Sequence, residues 1–103
     1  MKPKATLRSV SKNIEPLETR KAIALIRSLN PNGLEVALEE VAENTSRDFL
    51  LREVDEAFGR LITDAAEKIG ESNKPDALKT ADELSRRLIE YCTVRALILE
   101  RRR

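Results

Sequence analysis

The chain has 103 residues, 36% of them charged, with a formal net charge of +1, no histidine and a single cysteine. That length fits one domain with a single core. Without imidazole there is no Ser-His or Cys-His dyad, no histidine metal ligand and no histidine phosphotransfer, and one cysteine excludes an intramolecular disulfide framework and a thiolate cluster.

Leucine (14) and alanine (11) dominate the apolar residues, and Phe49, Phe58 and Tyr91 are the only aromatic side chains. This mixture suits close helix packing and is poor for strands, so an all-α fold is expected. The net charge hides an asymmetry: residues 1–14 carry Lys2, Lys4, Arg8 and Lys12 without an acid, and the chain ends on Arg101, Arg102 and Arg103. Residues 15–100 hold twelve basic against eighteen acidic side chains, a balance of −6 between two basic ends. Most short charged termini are simply solvated, although such ends also attract acidic partners. Neither a secretion signal nor a transmembrane helix is expected, because no apolar run approaches the ~18–20 residues a span needs. A reduced, cytoplasmic setting follows as the default. The absence of glutamine and the many charges lean towards a heat-adapted source, and five asparagines lean the other way.

In chain order, residues 1–14 show no sustained apolar period and read as a basic flexible arm, leaving 15–103 as one helical domain. Pro16 is placed for the first turn of a helix over about 16–29, with Ala22, Ile23, Leu25, Ile26 and Leu29 on its apolar side. Asn30-Pro31-Asn32-Gly33 ends it and leads into a second helix over about 31–44, with Leu34, Ala37, Leu38, Val41 and Ala42 inside and Glu35, Glu39, Glu40 and Glu43 outside.

Thr45 with Asp48 resembles a capping box for a long third helix over about 46–70. Leu51, Val54, Phe58, Leu61, Ala65 and Ile69 form its apolar stripe at about 100° per residue. Asp48, Arg52, Glu56, Arg60, Asp64 and Lys68 alternate in sign at every fourth residue, a ladder of expected i, i+4 pairs. Gly59 inside this helix marks a close helix crossing in the simplest reading. Gly70 and the Glu71–Pro75 segment supply a turn, after which a fourth helix is expected over about 76–100, antiparallel to the third. Its first half sets Ala77, Leu78, Ala81, Leu84 and Leu88 against Asp82, Glu83, Arg86, Arg87 and Glu90 in i, i+4 pairs. Its last turns, from Val94 to Leu99, are apolar almost all round.

Chemistry is sparse. Glu39, Glu40 and Glu43 cluster on an outer face and lack a facing acidic group, so a solvated surface explains them better than a metal site. Asp55, about 40° from Leu51 around the helix, is expected to pair with a lysine or arginine. Cys92 is expected as a small core residue. The three glycines are too far apart for a phosphate cradle, and Arg47 and Arg52 fall where a helix-turn-helix needs apolar groups. No catalytic residue, cofactor or metal is therefore expected.

The sequence points to a non-enzymatic helical interaction or assembly module that self-associates or binds another protein. A helix apolar on every side must be buried on every side, so the expected interface is Tyr91, Val94, Leu97, Ile98 and Leu99. The alternative is a small subunit of a nucleoprotein complex. In it Lys2, Lys4, Arg8, Lys12, Arg95, Arg101, Arg102 and Arg103 would contact phosphates.

Overall fold

The computed structural model describes residues 17–101, in four helices: α1 (Leu17–Arg27), α2 (Leu34–Glu39), α3 (Arg47–Glu71) and α4 (Lys74–Leu99). The fold is all-α, with a short hairpin of α1 and α2 packed on a long antiparallel hairpin of α3 and α4. The basic arm, Pro16, Arg102 and Arg103 lie outside the described residues.

α1 buries Thr19, Ala22, Ile23 and Ile26, which fall on a single face. It ends where Leu29 adopts φ 53°, a left-handed conformation unusual for a side chain of this size. That conformation costs about 1–2 kcal/mol. It is offset by the nearly complete burial of the Leu29 side chain, a gain of about 1.5–3 kcal/mol. The Asn30 N–H donates to the Leu25 carbonyl at 2.8 Å and closes the helix.

α2 is shorter than the expected span of 31–44, and both ends have a local cause. The Asn32 N–H donates to Asn30 Oδ1, and Gly33 takes φ 77°, so the backbone turns through Pro31–Gly33 before it coils. At the other end the Ala42 N–H donates to Thr19 Oγ1 at 3.0 Å, so it leaves the helical ladder to dock on α1. The buried threonine thereby holds the two short helices together.

α3 is capped by Ser46, whose side-chain oxygen accepts from the Phe49 N–H, and not by Thr45. The turn to α4 is also tighter than expected. Asn73 Oδ1 accepts from the Asp76 N–H, and Pro75 lies inside the first turn, where its missing N–H costs nothing. The segment read as a loop up to Pro75 is therefore helical from Lys74.

The core joins Ile26, Leu29, Leu34, Leu38 and Val41 of the short hairpin to Leu50, Val54, Ala57, Val94 and Ile98 of the long one. On α4 the inward seam is Ala77, Thr80, Leu84, Arg87, Tyr91, Val94 and Ile98, all buried or half-buried at strict three-four spacing. The expected stripe is thus displaced. Leu78, Ala81 and Leu88 lie outside it, while Thr80 and Arg87 lie on it. On α3 the stripe shifts to Leu50, Val54, Ala57 and Ala65, with Ile69 exposed. Among the described residues, the six charges of the expected ladder form no ion pair with one another. Ion pairs form instead at Arg27–Glu53 at 2.7 Å, Asp82–Arg86 at 2.9 Å, Arg87–Glu90, and Asp55–Arg95 at 3.5 Å.

Two substitutions separate core from surface at the C-terminal end. Ile98→Ala should lower stability by about 2–5 kcal/mol, as deletion of a fully buried branched side chain does. Leu99→Ala, measured at low protein concentration, should stay within about 0.5 kcal/mol. Urea unfolding of the two variants against the parent chain checks both values.

Candidate interaction surface

The residues expected to form the interface divide between inside and outside. Val94 and Ile98 are completely buried by the chain's own helices, so they cannot meet a partner. The all-round apolar turns are enclosed on most sides because α2 packs on α4 there and shares the core with them. Leu97 is half-buried against the same core, and Leu99 is 44% exposed. Tyr91 stacks on Phe58 with ring centroids 4.5 Å apart and donates its hydroxyl to Asp55 at 2.7 Å. Asp55 also pairs with Arg95, the partner expected for it.

The basic candidates are likewise engaged within the fold where they are described. Arg101 donates to the carbonyls of Thr45 at 2.9 Å and Ala42 at 3.2 Å, while its own carbonyl accepts from Arg47 at 2.6 Å. These bonds clamp the end of α4 to the start of α3. Lys2, Lys4, Arg8, Lys12, Arg102 and Arg103 fall outside the described residues.

A different surface emerges from the geometry of the long hairpin. The common core stops at Ala57, Phe58 and Leu61 on α3 and at Tyr91 on α4. Arg87 marks the end of the short hairpin's reach, donating to the Ser28 carbonyl at 2.5 Å. Beyond it, among the described residues, α3 and α4 continue as a two-helix stem, about 15–20 Å long at 1.5 Å per residue. A helix pair alone buries one seam and leaves most of each helix wet.

The stem's two flanks differ in chemistry. On α3, Gly59, Ile62, Thr63, Ala66, Ile69 and Gly70 are all exposed and none is charged. On α4 the same holds for Leu78, Ala81, Ser85, Leu88, Ile89 and Cys92. Each row lies roughly a third of a turn from its helix's seam, in the same rotational sense. Because the helices run antiparallel, that shared sense carries both rows to one side of the hairpin. Glu53 and Arg101, which bond to Arg27 and to the Ala42 carbonyl, lie in the opposite sense, so the uncharged face is the one α1 and α2 leave open.

Exposure on this face is large: Ile89 67%, Leu78 61%, Leu88 and Ile62 45% each. Its hydroxyls do not make it polar. Thr63 donates to the Gly59 carbonyl at 3.0 Å and Ser85 to the Ala81 carbonyl at 3.1 Å, so burying them would strand no donor. The opposite flank carries a groove bordered by Asp64, Glu67, Lys68, Glu71, Glu83 and Arg86. Lys74 at the tip and Asp82, tied to Arg86, border the uncharged face. The contrast matters in a chain that is 36% charged.

Two expectations are corrected on this face. Cys92 is exposed and not a core residue, because the seam passes through Tyr91 and Val94 and turns Cys92 outward. Gly59 makes no close crossing, since a Cβ built there would meet nothing within 4 Å. Leu78, Ile62, Ile69, Leu88 and Ile89 were assigned to no interface by sequence reasoning. The signal was present: stepping back by sevens from Ile98, Val94 and Tyr91 gives Leu84, Arg87 and Ala77, which displaces Leu78 and Leu88 to the outside.

Among the described residues no group of three or more acidic or cysteine side chains is arranged to hold a metal ion, and no helix is long and apolar enough to cross a membrane. Comparison with family models, with curated proteins and with solved structures gives no match.

Among the described residues, the Tyr91 hydroxyl is the group whose titration is clearly displaced. Its hydrogen bond to the Asp55 carboxylate, then burial, then the Asp55 charge, raise its pKa above the usual value of 10.0. The folded state thus holds the phenolic proton more tightly than the unfolded chain. The stabilisation is fully present below the unfolded value and is lost as pH rises through the folded one. Tyr91→Phe should lose about 0.5–1.5 kcal/mol at neutral pH and show a smaller stability decline above about pH 10 than the parent. Denaturant unfolding at neutral and alkaline pH reads both effects.

Proposed function

We propose that this protein is a non-enzymatic helical interaction module that binds another polypeptide through the uncharged face of the α3–α4 stem. The observation that carries this reading is the exposure of Ile62 and Ile69 on α3 and of Leu78, Leu88 and Ile89 on α4, on one side of a stem that among the described residues has no third layer. Exposed patches of this kind, rimmed by charged residues, are characteristic of protein–protein contact. The bonds that Arg95 and Arg101 make within the fold favour a protein partner over a phosphate backbone.

Relative to the sequence expectation, the proposed contact moves from the chain's last turns to the middle of the hairpin. Leu99, with Ala96, extends the α4 row beyond Cys92. A photo-crosslinking residue at Leu78 or Ile89 should give covalent polypeptide adducts in cells expressing the protein. The same residue at Glu67 or Arg86, on the charged flank, should give few. Equal adducts from both flanks, or none from the uncharged one, would overturn the reading.

A further inference from the structure

We infer that the partner on the uncharged face is a second copy of this chain, so that two stems stack face to face into a four-helix bundle related by a two-fold axis. This rests on the interaction reading above and specifies its partner.

The first support is dimensional. The face is two helices wide, about 20 Å, and about 20 Å long, with the α4 row continuing to Leu99. Its area is roughly 500 Å² per copy, or about 1,000 Å² for a pair, which is the floor for a specific interface. A single helix laid between the rows would leave the outer shoulder at Leu78 and Ile89 wet. A second hairpin covers both rows and gives each stem the layer it lacks.

The second support is shape. On each helix the face alternates large with small: Ile62 and Ile69 beside Gly59, Ala66 and Gly70, and Leu78 and Leu88 beside Ala81 and Ser85. Such a surface carries both knobs and holes, as an isologous contact requires. Gly59 and Gly70 sharpen the point. Each is exposed, with open space where a Cβ would stand, so packing within the chain gives no reason for glycine there. Glycine inside a helix costs about 1 kcal/mol relative to alanine. Close approach of another helix supplies the missing reason.

The third support is electrostatic. With a formal net charge of +1, two copies repel only weakly at long range. Among the described residues, α1, α2 and the charges of the groove lie on the other side of the hairpin, and the charges at the border of the shared face are of both signs, Lys74 and Asp82.

The test is light scattering behind size exclusion on the full chain, from about 1 to about 200 μM, a range that brackets a micromolar dissociation constant. The mass should rise with concentration from 11.6 kDa towards twice that value. An Ile62→Glu/Leu88→Glu variant should remain at the single-chain mass throughout, with helical circular dichroism retained, and Glu67→Ala should behave as the parent. Should the double variant unfold, the parent chain alone decides. The exposed Cys92 lies on the face, so its alkylation should slow about tenfold across the same range as the thiol becomes covered.

A folded parent that stays at the single-chain mass and alkylates at one rate would overturn the inference. If the photo-crosslinked adducts of that monomeric chain carry the mass of another polypeptide, the interaction module stands and self-pairing falls. If adducts are absent as well, both fall.

Discussion

The structure depends on where its third layer ends. Ile26, Leu29, Leu34 and Leu38 close over Leu50, Val54, Val94 and Ile98, and that one cluster holds all four helices. Two backbone devices make the closure possible: the left-handed turn at Leu29, held by burial of its own side chain, and the Ala42 N–H bonded to Thr19. The first seats Leu29 in the core at the base of the long hairpin, and the second ties the two short helices together. Neither reaches the stem, and every distinctive surface property of the protein follows from that shortfall.

At the base, apolar residues are covered on several sides, so Val94 and Ile98 need no partner, and Ala96 and Leu99 are left on the open row. Along the stem, among the described residues, α3 and α4 have only each other. A seam made of Ala65, Ala77, Thr80, Leu84 and Arg87 is small and partly polar, a weak core for two helices of this length. The large aliphatic side chains that would have strengthened it stand on the open flank. The distribution is economical only if that flank is covered in the working state.

The four helices, their order and the antiparallel hairpins were legible from three-four periodicity, the Asn-Pro-Asn-Gly turn and the Gly70–Pro75 break. Helix ends were less so, since the Thr19–Ala42 bond that stops α2 joins residues far apart in sequence. The rotation of α4 was misread for a related reason. Two apolar rows coexist on it, one through Leu84 and Tyr91 and one through Leu78, Leu88 and Cys92, and the first admits Thr80 and Arg87. Local hydrophobicity favours the row with more leucines, whereas contact with Phe58 and the core selects the other. The proposed contact moves with that rotation, because Val94 and Ile98 lie inside and Leu78, Leu88 and Ile89 lie outside.

Amide hydrogen exchange along the chain addresses the central claim most directly, because it reports base and stem separately in one experiment. The account predicts that amides of α3 and α4 near Leu50, Val54, Val94 and Ile98 exchange slowly at every protein concentration. Those between Ile62 and Ser85 should exchange quickly when dilute and become protected as concentration rises. Uniform protection of base and stem, unchanged by concentration, would contradict it.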